Sequence, residues 1–116
     1  MEKIVEQGLL YDFYGELLTD HQRKIYEDVV YNDLSLTEIA EENGISRQGV
    51  HDLVRRCNHI LQDYEDKLHL VEKFLTIKAK VQNMNEIIDL YESTDESTRK
   101  LASDIRKISD EIIEEL

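Results

Sequence analysis

The sequence predicts an all-α protein, and three observations carry that expectation. Among 116 residues there is no Pro and there are only four Gly, so little in the chain interrupts a helix. Hydrophobic residues make up 41% and charged residues 34%, a balance suited to amphipathic helices in water rather than to a disordered chain. Thr19/Gln22, Ser35/Glu38 and Ser93/Glu96 each set a hydroxyl three positions before a carboxylate or amide, the pairing that satisfies the orphan N–H groups of a first helical turn.

Taken in order, a first helix is expected over residues 2–18, weakened near Gly8 and Gly15. Leu9, Leu10, Phe13, Leu17 and Leu18 form its apolar side. The Thr19 box opens a second helix to about Tyr31, with Ile25, Val29 and Val30 at helical spacing. Tyr11, Tyr14, Tyr26 and Tyr31 stand on the apolar faces of these helices and are expected in the core rather than as a base-stacking surface. The Ser35 box opens a short helix from Leu36 to Asn43.

From Ser46 onward no Gly follows Gly49, and Val50, Leu53, Val54, Cys57, Leu61, Tyr64, Leu68, Val71 and Leu75 keep a near-heptad beat. This predicts one long helix to about Lys78, reaching about 50 Å at 1.5 Å per residue. A further helical piece follows over Val81 to Tyr91. The Ser93 box then opens a last helix bearing the stripe Leu101, Ile105, Ile108 and Ile112. Residues 1–66 are expected to form one domain and 67–116 a helical extension.

Residues 36–56 read as a helix-turn-helix. Two short helices crossing steeply need a small residue at their closest approach, supplied by Ala40, and a residue tolerant of positive φ in the turn, supplied by Gly44. Ile39, Ile45, Val50 and Leu53 fill the wedge between them, and Ser46 caps the second helix. Arg47, Gln48, His51 and Arg55 then fall on the outer face, with Arg56 beside them, as candidate contacts to nucleic acid or to a protein partner. The formal net charge of the chain is -12, which repels nucleic acid and anionic membranes on average. DNA binding therefore rests on this local patch, against a reading of the same module as a protein-binding platform.

Leu10-Tyr11-Asp12-Phe13-Tyr14-Gly15-Glu16-Leu17-Leu18-Thr19, Leu34-Ser35-Leu36-Thr37-Glu38-Ile39-Ala40-Glu41 and Ile45-Ser46-Arg47-Gln48-Gly49-Val50-His51-Asp52 together resemble the YlxM-like helix-turn-helix proteins of Gram-positive bacteria. The resemblance extends through Leu61, Tyr64, Glu65, Lys67, Leu68 and Leu70 and thins beyond about Lys80. It implies a module similar to region four of bacterial sigma factors. Genes of this family commonly adjoin that of the signal recognition particle GTPase, which implies a regulatory or accessory role in that targeting pathway, with the GTPase, its RNA or its receptor as partner. Gly49 departs from the family pattern, which usually has Ala there, and Gly inside a helix costs about 1 kcal/mol relative to Ala.

Other chemistries find little footing. Cys57, His51, His59 and His69 include no pair at the i, i+4 spacing that sets two metal ligands on one helix face, so no metal site is expected. Cys57 lies on the packing stripe and reads as a core thiol rather than a nucleophile. Gly8, Gly15, Gly44 and Gly49 form no phosphate-binding loop, and no carboxylate pair is placed for acid–base work. No enzyme activity and no cofactor are expected. The single Cys, the absence of a signal pattern at Met1-Glu2-Lys3-Ile4 and the lack of a long apolar run predict a cytoplasmic protein without a membrane span. The stripes Leu61/Tyr64/Leu68/Val71/Leu75 and Leu101/Ile105/Ile108/Ile112 predict a homodimer, with an intrachain hairpin between them as the alternative.

Overall fold

The computed structural model describes residues 2–90 and 95–116. These form α1 (Lys3–Tyr14), a 3-10 turn (Gly15–Leu17), α2 (Asp20–Val30), α3 (Leu36–Asn43), α4 (Arg47–Leu68), α5 (Leu70–Leu90) and α6 (Glu96–Glu115), with no strand among the described residues. The fold is all-α, as the composition and helix-start boxes require. Contacts divide the chain into two compact units, Met1–Val71 and Glu72–Leu116.

Local chemistry sets most of the boundaries. Gly8 leaves α1 unbroken, whereas at Gly15 the helix tightens and ends at Tyr14, short of the expected Leu18. A Cβ on Gly15 would lie 2.7 Å from Tyr11 Cε2, so the Tyr11 ring occupies the space a side chain would need. Thr19 forms a complete capping box: its hydroxyl accepts from the Gln22 N–H, and the Gln22 amide oxygen accepts from the Thr19 N–H. Ser35 accepts from the Glu38 N–H, but the Glu38 carboxylate takes the Ser35 hydroxyl instead of its N–H, so the box is only half formed. The last helix starts at Glu96 under an Asp95 cap rather than under Ser93, which lies outside the described residues.

The expected helix from Ser46 to Lys78 is two helices. His69 adopts the left-handed conformation at φ 56°, closing α4 with its N–H on the Glu65 carbonyl at 2.8 Å. The hydroxyl of Tyr14 and the carboxylate of Glu65 then accept the Leu70 and Val71 N–H groups at 3.1 and 2.9 Å, capping α5 from the side. Beyond that cap α5 runs unbroken to Leu90, so the stretch from Val81 is no separate piece.

The first unit buries two groups of side chains. Ile25 of α2, Ile39 and Ala40 of α3 and Val50 of α4 form one, with Val29, Leu34, Leu36, Ile45, Leu53 and Val54 packed around them. Leu10, Tyr14, Leu18, Tyr26, Cys57 and Leu61 are also buried, and their rings lie in order: Tyr11 stacks on Tyr26 at 5.4 Å and Tyr14 on Tyr64 at 6.0 Å. Tyr31 departs from the expected core position. It is half exposed, with its ring tilted on Tyr11 and its hydroxyl near the Gly8 carbonyl and Asp12. Leu61 and Val71 of the first stripe are therefore consumed inside this unit, while Leu101, Ile105, Ile108 and Ile112 remain exposed. No described helix is long and apolar enough to cross a membrane.

Candidate binding face of the helix-turn-helix

The turn between α3 and α4 is built on Gly44, at φ 65°, where an L side chain would meet its own backbone. The Gly44 and Ile45 N–H groups both reach the Ala40 carbonyl, which reverses the chain in three residues. Ser46 then caps α4 by accepting from the Gly49 N–H at 2.9 Å. A Cβ on Gly49 would stand 3.1 Å from that same Ser46 hydroxyl, so the departure from Ala frees space around the cap.

With Val50 and Cys57 fully buried and Leu53 and Val54 half-buried, the outer face of α4 is fixed by helical geometry. Arg47, Gln48, His51, Arg55 and Arg56 are all exposed. Arg47, His51 and Arg55 stand at i, i+4 and i+8 and form one row. Gln48 and Asp52 form the next row, with the Gln48 amide donating to the Asp52 carboxylate at 3.0 Å. His51 Nδ1 is 3.9 Å from the same carboxylate. Arg56 continues the Gln48–Asp52 row at i+8 from Gln48, so it flanks the Arg47–His51–Arg55 row on the side away from the groove that His51 and Arg55 line.

The Arg47–His51–Arg55 row borders an open groove of about 450 Å³ lined by Lys3, Gln7, Val29, Leu36, His51, Val54, Arg55 and Asn58. Lys3 and Gln7 come from α1, so the start of the chain adds a cation and an amide to a face otherwise supplied by α4. Sequence reasoning missed Lys3, Gln7 and Asn58, because no spacing rule links α1 to a helix more than forty residues away. The Asn58 side chain also accepts the Tyr26 hydroxyl at 2.7 Å, which anchors the floor of the groove to the core.

The titrating groups nearby are structural. Burial pushes the Cys57 thiol up, opposed by the neighbouring Arg56 charge, so it is held as a neutral packed thiol. Burial likewise raises the Tyr26 phenol. Neither group offers a base or a nucleophile at neutral pH.

The family model described as UPF0122, "Putative helix-turn-helix protein, YlxM / p13 like", matches residues 1–108, further along the chain than the quoted motifs reach. A UPF0122 protein of Clostridium kluyveri is 46% identical over 90 residues, covering 77% of this chain and 80% of the relative. One from Caldanaerobacter subterraneus is 51% identical over 80 residues, covering 69% and 68%. One from Bacillus thuringiensis is 38% identical over 108 residues, covering 93% and 98%. With its turn on Gly44, its second helix capped by Ser46 and this similarity along nearly its whole length, the chain belongs to the UPF0122 family of YlxM/p13-like helix-turn-helix proteins.

Proposed function

We propose that this protein is a non-enzymatic accessory protein that acts through the outer face of α4 on a component of the signal recognition particle pathway: the targeting GTPase, its RNA or its receptor. The observation that carries an adaptor reading is the mixed chemistry of that face. Asp52 sits among Gln48, His51 and Arg55, engages the Gln48 amide and lies 3.9 Å from His51. A Gln that reads a base edge would have to leave this bond, and a carboxylate facing duplex phosphates is repelled by them. A partner surface presenting both donors and acceptors meets neither cost. The choice of pathway rests on the family resemblance.

A DNA-binding transcriptional regulator is the second reading, favoured by the row Arg47, His51 and Arg55 at the start of the second helix of the motif, where recognition helices meet the groove. Retention tests separate the two. The immobilised protein is offered the targeting GTPase, its receptor, the particle's RNA and a pool of duplex DNA. Retention of a pathway component supports the adaptor. Retention of a defined duplex alone, with affinity falling steeply as salt rises, reverses the ranking.

A further inference from the structure

The groove beside α4 is built by four helices of the first unit. Lys3 and Gln7 stand at i, i+4 on α1, and His51, Val54, Arg55 and Asn58 at i, i+3, i+4 and i+7 present one side of α4. Val29 of α2 and Leu36 of α3 complete it. Val29, Leu36 and Val54 pack on the buried cluster of Ile25, Ile39, Ala40 and Val50, yet each is only half-buried. Their remaining apolar surface is left to the groove.

The polar part of the lining is dominated by donors. Neither Lys3 nor Arg55 has an ion-pair partner among the described residues, in a chain whose 26 acidic residues outnumber its 14 Lys and Arg. The acidic residues nearest them in sequence, Glu2, Glu6 and Asp52, do not line the groove. Asn58 spends its Oδ1 on the Tyr26 hydroxyl, so its Nδ2 is what it offers a ligand. Two cations and an amide donor beside an aliphatic floor call for carboxylates next to an aliphatic group.

We infer that this groove is the docking site for an acidic segment of a protein partner, with one aliphatic side chain seated on Val29, Leu36 and Val54 and its carboxylates at Lys3 and Arg55. The inference rests on the adaptor reading above and adds the chemistry that the partner presents. Charge complementarity selects this occupant, since a basic segment would set cations on cations. A nucleic-acid strand would meet the cations but lay its phosphodiesters over three aliphatic side chains. Bases would find only the His51 imidazole to stack on, because no Tyr, Phe or Trp lines the groove. Its volume of about 450 Å³ lies within the range of clefts that hold a ligand.

Selection of a displayed random peptide library on the full chain tests the inference. The expected consensus is a Leu, Ile, Val or Met flanked by Asp or Glu. The selected peptide, labelled with fluorescein, is then titrated by polarisation. Lys3→Glu and Arg55→Glu, both at exposed positions, each weaken it by about tenfold with helical circular dichroism kept, and Arg56→Glu changes it by less than about twofold. Replacing the peptide's aliphatic residue by Ser weakens it by about tenfold. No consensus, a basic consensus, or a Lys3→Glu variant that binds the peptide as the wild type does overturns the inference. So does a short single-stranded RNA that binds more tightly than the peptide and loses that affinity in Lys3→Glu. Lys3 is carried by α1 rather than α4, so the two readings fail separately. A pathway component retained equally by wild type and Lys3→Glu removes the groove alone, and an acidic consensus with no pathway component retained supports the groove and removes the pathway alone.

Discussion

The Tyr14 hydroxyl donates to the Glu65 carboxylate at 2.5 Å, joining the end of α1 to the last turn of α4 across 51 positions of sequence. The same hydroxyl accepts the Leu70 N–H and the same carboxylate oxygen the Val71 N–H, so one pair of side chains decides where α4 stops and α5 starts. Removing the hydroxyl takes one hydrogen bond from Glu65 and the acceptor from the Leu70 N–H. Tyr14→Phe is expected to destabilise the chain by about 2 kcal/mol, read by urea denaturation. Amide exchange at Leu70 and Val71 should accelerate more than at Val50. Unchanged exchange at those two amides would contradict the capping role.

Alkaline pH acts on the same part of the core. Tyr14 is raised above the ordinary value of 10.0, first by burial and then by the Glu65 hydrogen bond, and Tyr26 is raised chiefly by burial. The fold therefore favours the neutral phenols. Their contribution is complete below pH 10 and is lost as pH climbs past 10 toward the folded values, because the unfolded chain releases those protons first. Melting temperature should be flat with respect to these groups up to about pH 9 and fall beyond 10. The fall should be shallower in Tyr26→Phe.

Two glycines should respond differently to the same class of substitution. At Gly44 the obstacle is backbone conformation, so Gly44→Asn is tolerated better than Gly44→Val, which is expected to cost about 2 kcal/mol or more. At Gly15 the obstacle is the Tyr11 ring, and Gly15→Ala is expected to cost about 1–3 kcal/mol through forced repacking. Pairing Gly15→Ala with Tyr11→Leu should recover part of that loss. Thermal denaturation of the single and double variants reads both effects.

The outer face of α4 makes a positional prediction. Arg47→Ala and Arg55→Ala lie on one row and should each weaken retention of the cognate partner by about three- to thirtyfold, while Arg56→Ala, on the adjacent Gln48–Asp52 row and outside the groove lining, should change it by less than about twofold. Surface plasmon resonance on the partner retained in the pull-down gives these ratios. Equal losses from all three would mean that the α4 row is not the contacting edge.

Much of this molecule is legible in one dimension. The Thr19 and Ser35 starts, the Gly44 turn and the outward row Arg47, His51 and Arg55 follow from interactions within four residues, where capping, φ preference and helical period act without help from the rest of the chain. The break at His69 could not be read that way, since it has neither Gly nor Pro and depends on a hydroxyl brought from Tyr14. The same holds for Lys3, which lines the same groove as Arg55. It holds too for the stripe Leu101 to Ile112, whose period marks an apolar face but not which side of α6 its neighbour covers. Sequence by itself determined the helices and the turn, because those energies are local. Tertiary packing alone decided where the long helix divides, what shares the groove and which apolar face is left open, because those depend on partners distant along the chain.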